Sequence, residues 1–246
     1  MYYLRDYIWY LIAIGAVALL ASFASARVNS TFKKYSTVPC RAGLSGADVA
    51  ARLLSQNGAS DIRVGHVSGN LSDHYHPANG TVNLSDSTYS SNSVSAVAVA
   101  AHEIGHVMQK KNGYFLYNVR TTLVPVVNVG SRLAMPLVLI GLLLDAFVAL
   151  SDPDTGFYIA MTGVVLYGTA LLFALVTLPV ELDASRRAVK MLRESYIISD
   201  DQVGACKKVL RAAAATYLVS VLAALVQFLR FLLYVLSLFG RRNSRR

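Results

Sequence analysis

Charge is sparse in this chain. Only 15% of its 246 residues are Asp, Glu, Lys or Arg, while 54% are hydrophobic and the mean hydropathy is +0.46. That balance excludes one or two ordinary soluble domains and indicates a membrane protein. Cysteine is sparser still: Cys40 and Cys206 lie far apart with no C-x-x-C partner, so a disulfide framework is excluded and both read as inert small hydrophobes. Acidic residues number 14 against 23 basic ones, for a net charge of +9. No RNA- or DNA-binding motif accompanies the excess. The basic residues instead flank long apolar runs, as at Lys33 and Lys34, Lys110 and Lys111, and Arg186 and Arg187. Charge so placed orients spans and meets anionic headgroups; the expected partner is a lipid bilayer, with no nucleic acid.

Four stretches are long and apolar enough to cross a bilayer, which takes about 20 residues: 7–25, 133–150, 157–178 and 212–239. The first is read as a retained anchor, although Ala24-Ser25-Ala26 also fits a signal-peptide cleavage site. With the N-terminus outside, 17 of the 23 Lys and Arg fall in cytoplasmic segments, so the expected site faces the cytoplasm. The basic tail then faces outward, which this orientation does not explain; the reverse orientation puts the tail inside. Asp145 and Arg230, ionisable groups within apolar spans, are read as structural pairing or interfacial residues.

Residues 27–120 have the pattern of a small domain outside lipid. Ser45 caps a helix over 47–54 that Gly58 ends, and strands are expected at 62–67, 71–75 and 81–84, the last two joined by a turn at Asn79-Gly80. Order and composition indicate an α+β domain. The strand before the next helix offers its edge, 82–85, to an extended peptide, or is simply covered. His66 is a strand residue without an assigned role. The mixed stretch 114–132, with Pro125 and Gly130, is expected along the interface.

The alanine-rich run 94–108 contains Ala101-His102-Glu103-Ile104-Gly105-His106. On a helix, His102 and His106 lie on one face and can meet a single ion, the H-E-x-x-H pattern of zinc hydrolases. Buried, such a trio is costly without a metal. Hydrolytic zinc takes three protein ligands and keeps one position open. Glu103 is then the base: it takes a proton from the activated water and hands it to the leaving amine. Two crossings return the chain to the compartment of the histidines at Leu178-Pro179-Val180-Glu181, so Glu181 is a candidate third ligand and Asp183 and Ser185 candidates to orient a ligand. Alternatively, Pro179 starts a helix and the two acids sit in its first turn to meet the dipole.

His102 to His106, with Asp73-His74-Tyr75-x-Pro77, Arg120-Thr121-x-Leu123-Val124-Pro125-Val126, Leu178 to Glu181 and Ala184-Ser185-Arg186-Arg187-Ala188, resembles the YugP-type neutral zinc metallopeptidases of bacterial membranes over nearly the whole chain. The resemblance implies a gluzincin-like metalloendopeptidase related in layout to HtpX-type membrane proteases, with one Zn2+ per chain held by His102, His106 and Glu181. The HtpX-type pattern has an aspartate where this chain has Ser185. His74, Tyr75 and Arg186 are candidate donors to the oxyanion that peptide hydrolysis creates.

The expected fold is thus a multi-pass α-helical membrane protein with a small α+β zincin-like catalytic domain. Its expected parts are an anchor (1–26), a catalytic domain with the H-E-x-x-H helix (27–122), an interfacial segment and transmembrane hairpin (123–178), a helix with the third ligand (179–211), and a last span with basic tail (212–246). The expected substrate is a protein or peptide, misfolded or membrane-associated. Two rivals remain: an intramembrane-cutting protease whose third ligand is an aspartate such as Asp154, and a catalytically silent scaffold stabilised by zinc.

Overall fold

The computed structural model describes residues 2–147 and 155–243. Among the described residues, six helices and three strands follow the order α1 (Tyr2–Ser36), α2 (Gly46–Gln56), β1 (Arg63–Val67), β2 (His74–His76), β3 (Thr81–Ser85), α3 (Val94–Lys111), α4 (Phe115–Phe147), α5 (Thr155–Glu194) and α6 (Asp200–Asn243). The structure is mostly helical, and α1, α4, α5 and α6 are each long and apolar enough to cross a membrane. Asp154 and the tail residues Arg245 and Arg246 lie outside the described residues.

One compact unit comprises residues 22–118 and 178–217. Local chemistry sets its boundaries. Ser45 accepts from the Asp48 amide while Asp48 bonds back to the Ser45 amide, closing a capping box at α2. Gly58 ends that helix region at φ +66°, where a side chain is disfavoured. Ser93 caps α3 by accepting from the Ala96 amide. The core gathers Val49 and Leu53 of α2, Leu84 of β3, Val97 and Ile104 of α3, and Leu192 and Ile197. Cys40 and Cys206 belong to it, and burial pushes the Cys40 thiol above its ordinary value, as an inert residue requires.

The sheet corrects one expectation. Its order is β1-β3-β2, with β1 parallel to β3 (Val64 opposite Val82) and β2 antiparallel to it (His74 opposite Asn83). The Asn79-Gly80 hairpin forms as expected. However, β3 is the central strand, bonded on both sides, so 82–85 offers no free edge; the edges belong to β1 and β2.

The long helices bring two further corrections. The mixed stretch 114–132 and the apolar stretch after it form one helix, α4, with Pro125 and Pro136 inside it. Likewise Pro179 does not start a helix but lies within α5, which begins at Thr155. Glu181 and Asp183 are therefore not first-turn acids, and the dipole explanation for them falls, because that effect dies away within one turn. In apolar surroundings the helical ladder is the only way to satisfy the backbone, which favours continuing through a proline.

The other unit comprises residues 1–21, 119–177 and 218–246. Val138, Ala160, Val164, Phe231 and Val235 form its buried cluster. Glycine permits its closest approach: a Cβ on Gly163 would lie 2.6 Å from the Ala134 carbonyl oxygen, and one on Gly141 2.5 Å from the Ala160 nitrogen.

Candidate active site

Fourteen of the eighteen residues of α3 are buried, so its polar groups must find partners inside the fold. His102, Glu103 and His106 sit in its second half, facing α5. Gly105 makes that face possible, since a Cβ there would lie 2.5 Å from the Ala184 carbonyl oxygen of α5. Backbone cannot yield as a flexible side chain would, so a larger residue would force the two helices apart. Ala101, Ala184 and Ala188, all fully buried, keep the same seam thin.

Across that seam the Nε2 atoms of His102 and His106 lie 3.2 and 3.5 Å from one oxygen, Oε2 of Glu181, whose side chain is only 2% exposed. One ligand atom from each of the three residues lies within 4.8 Å of the others. The opposite ring nitrogens are occupied. His106 Nδ1–H donates to Gln109 Oε1 at 2.9 Å, and Ser185 Oγ stands 3.2 Å from His102 Nδ1. Both imidazoles thus turn Nε2 inward, the arrangement by which metal-binding histidines are held. Two nitrogens and a carboxylate oxygen, with His102 half-buried and His106 and Glu181 buried, leaving a position open, are the donor set of a catalytic zinc. The residues therefore fit a divalent metal.

Electrostatics agree with the geometry. Burial disfavours the His106 imidazolium, but Glu181, by hydrogen bond and charge, together with Glu103 and Gln109, outweighs it and raises the His106 pKa above its ordinary 6.5. The carboxylates make this a site for positive charge.

Glu103 is 8% exposed and lines a cavity of about 200 Å3 with His102, Glu181 and Ser185. Among the described residues no side chain hydrogen-bonds its carboxylate. Its lone pairs are left for whatever enters the cavity. Val28, Phe32 and Tyr217 complete part of the wall, with Leu71 and Asp73 from the loop before β2. That loop is held firmly: Asp73 accepts from the Ser85 amide and hydroxyl, both at 2.8 Å, and Leu71 takes the left-handed conformation at φ 55°.

Asp183 lies one step behind the His102–His106–Glu181 cluster, where its Oδ2 accepts from Gln109 Nε2 at 2.9 Å and from Arg187 Nε at 2.6 Å. The three residues read as oxyanion donors are placed elsewhere. His74 is engaged by the Ser72 carbonyl at 2.9 Å and Asn83 at 3.1 Å, Tyr75 packs against the core, and Arg186 lines a different cavity. None lines the cavity of Glu103.

Gln109 escaped the sequence reading. It is fully buried, and its amide group also donates to the Val180 carbonyl at 2.8 Å, tying the helix of the histidines to that of Glu181. The available signal was its position three residues after His106, on the same helix face. Tyr117 was missed too; its ring lies 6.3 Å from that of His106. His66, left without a role, bonds Asp86 at 2.6 Å, and Asp86 accepts from the Gly69 amide at 2.7 Å. These bonds pin the turn that leads to Leu71.

Comparison with known proteins accords with this geometry. A model of the family described as "Putative neutral zinc metallopeptidase" matches residues 9–236. The chain is also 38% identical over 218 residues to a Bacillus subtilis (strain 168) protein named "Putative membrane protease YugP", covering 89% of this chain and 92% of that one. No solved structure gives a significant match. The family's description implies zinc, and the cluster of His102, His106 and Glu181 could hold it. By both matches, the chain belongs to the family described as "Putative neutral zinc metallopeptidase".

Proposed function

We propose that this protein is a membrane endopeptidase that hydrolyses peptide bonds with one zinc per chain, held by His102, His106 and Glu181 in a zincin-like domain. The observation that carries the proposal is the convergence of two inward Nε2 atoms on the buried Glu181 carboxylate, with Glu103 beside them facing the same cavity. A bound zinc supplies Lewis acidity, which acidifies a water and polarises the scissile carbonyl. Glu103 takes the proton of the attacking water and returns it to the leaving amine. Gln109 and Ser185 hold the imidazoles in the tautomer and orientation that present Nε2, and Asp183, backed by Arg187, fixes Gln109. The substrate is a protein or peptide close to the bilayer. β2 is an edge strand and the loop leading into it lines the cavity, so an extended segment would enter beside β2. The distribution of Lys and Arg supports a site on the cytoplasmic side.

Glu103→Gln tests the mechanism. The variant is expected to keep one zinc per chain and to lose cleavage of an unfolded membrane protein by at least about 100-fold. Glu181→Gln is expected to lose the metal as well. Unchanged cleavage in Glu103→Gln would remove the mechanism.

A further inference from the structure

Arg186, which does not line the metal cavity, lines a far larger one. This second cavity, of about 1030 Å3, is formed within the unit of residues 22–118 and 178–217 by the last turns of α5, the first turns of α6 and the residues joining them. Its volume suits a sizeable ligand. Six cations line it, namely Arg41, Arg186, Lys190, Arg193, Lys207 and Arg211, against two acids. Those two acids are engaged: Glu194 lies 3.8 Å from Lys190, and Asp200 3.3 Å from Arg193. Arg41 acts on the nearby Asp201 carboxylate, whereas Arg186, Lys207 and Arg211 have no acidic partner among the described residues.

The three unmatched cations are also those nearest the apolar stretches. Arg211 immediately precedes the stretch beginning at residue 212, Lys207 is five residues before it, and Arg186 is eight residues past the stretch ending at 178. At 1.5 Å per helical residue, all three fall within about 12 Å of the lipid-compatible segments. The paired cations Lys190 and Arg193 are farther out along α5. Between the three, the wall turns apolar with Leu182, Leu210 and Ala214. Tyr196, lining the same cavity, is 87% exposed and held in the left-handed conformation at φ 54°, which a glycine would adopt more easily. An exposed tyrosine beside cations and apolar wall is what a membrane interface favours. A soluble anion would use the charge but not the apolar floor.

We propose that this cavity binds the phosphate-bearing headgroup of an anionic phospholipid through Arg186, Lys207 and Arg211. Ser185, Leu210 and Ala214 line both this cavity and that of Glu103, so a seated lipid forms part of the wall behind the metal site. The inference does not depend on zinc, and its readout is bound lipid rather than cleavage.

The full chain, purified from nanodiscs of phosphatidylcholine containing one-fifth phosphatidylglycerol, is examined by native mass spectrometry for retained lipid. The expected result is one phosphatidylglycerol per chain, with retention falling about fivefold for each charge removed and about 100-fold in the triple variant Arg186→Gln, Lys207→Gln, Arg211→Gln. A second triple variant, Arg52→Gln, Arg63→Gln, Lys208→Gln, removes equal charge outside the cavity and should retain lipid as the parent does. Equal loss in both triples means diffuse attraction and overturns the site. So does displacement of the lipid by 10 mM inorganic phosphate, which would make the occupant a free anion. Should the first triple not fold, Arg186→Gln alone, on an exposed helix face, must still show its fivefold loss; full retention there overturns the proposal.

Discussion

Leucine meets opposite fates in the two units of this chain. In the unit of residues 22–118 and 178–217, Leu53, Leu84 and Leu192 are fully buried, around a helix that carries ionisable groups. In the unit of residues 1–21, 119–177 and 218–246, Leu19, Leu143 and Leu233 are 73%, 56% and 62% exposed. The first is built as a protein in water is, with apolar side chains inside and polar ones paired. The second turns its apolar side chains out and reserves its contacts for small residues, such as Gly141 and Gly163. Lipid replaces the core there, because hydrocarbon solvates leucine as well as protein does. A largely buried trio of two imidazoles and a carboxylate needs the first kind of surroundings, in which Gln109, Asp183 and Ser185 can complete its hydrogen bonds.

The sharpest way to break that contrast is to place the same charge in each unit. Val165, 63% exposed on α5, would be harmless to change in water; Val165→Asp is expected to cost about 3 kcal/mol of membrane insertion, read as lost membrane-integrated protein. Lys208→Asp, on an exposed position of the other unit, should leave insertion unchanged. Equal behaviour would mean that both surfaces face the same solvent.

Gly105→Ala attacks the seam of α3 and α5. The added methyl group meets the Ala184 carbonyl, and overpacking of this kind costs about 1–3 kcal/mol. Because the same seam joins Glu181 to the histidines, zinc affinity should fall together with thermal stability. A stable variant with weak zinc binding would show that the seam positions ligands without supporting the core.

Gln109→Leu keeps the volume but removes the partner of His106 Nδ1 and leaves Asp183 with Arg187 alone. Zinc affinity is expected to fall about 10–100-fold by competition with a chromophoric chelator. Unchanged affinity would relegate Gln109 to packing.

The smallest effect is one of pH. The neighbouring carboxylates hold the His106 pKa above 6.5 despite its burial, and zinc binding through His106, as proposed, would have to displace that proton. Apparent zinc affinity should therefore weaken with falling pH from a point above 6.5. Glu103→Gln, which removes one of those carboxylates, should move the onset lower. A flat affinity profile from pH 8 to 6 would show that His106 is not a ligand.

Much of the arrangement was legible in the residues. The paired histidines, the Ser45 cap, the Asn79-Gly80 hairpin and the apolar stretches are local signals: spacing on one helix, a side chain reaching its own backbone, a turn that needs positive φ. What could not be read depends on contacts between distant segments. Sheet order placed β3 in the middle, against the expectation of a free edge, because strand pairing is chosen by packing and not by proximity in the chain. Pro179 resembled a helix start and proved internal to α5.

The sequence alone determined the apolar stretches and the spacing of His102, Glu103 and His106, since both follow from composition and from the 3.6-residue turn. Only the tertiary structure decided that Glu181 meets both imidazoles, that Gln109 and Ser185 hold their far nitrogens, and that Arg186 turns to another cavity. Each of those outcomes rests on how closely α3 can approach α5. That distance is set by glycine and alanine on facing helices, a property of two surfaces together and of neither segment by itself.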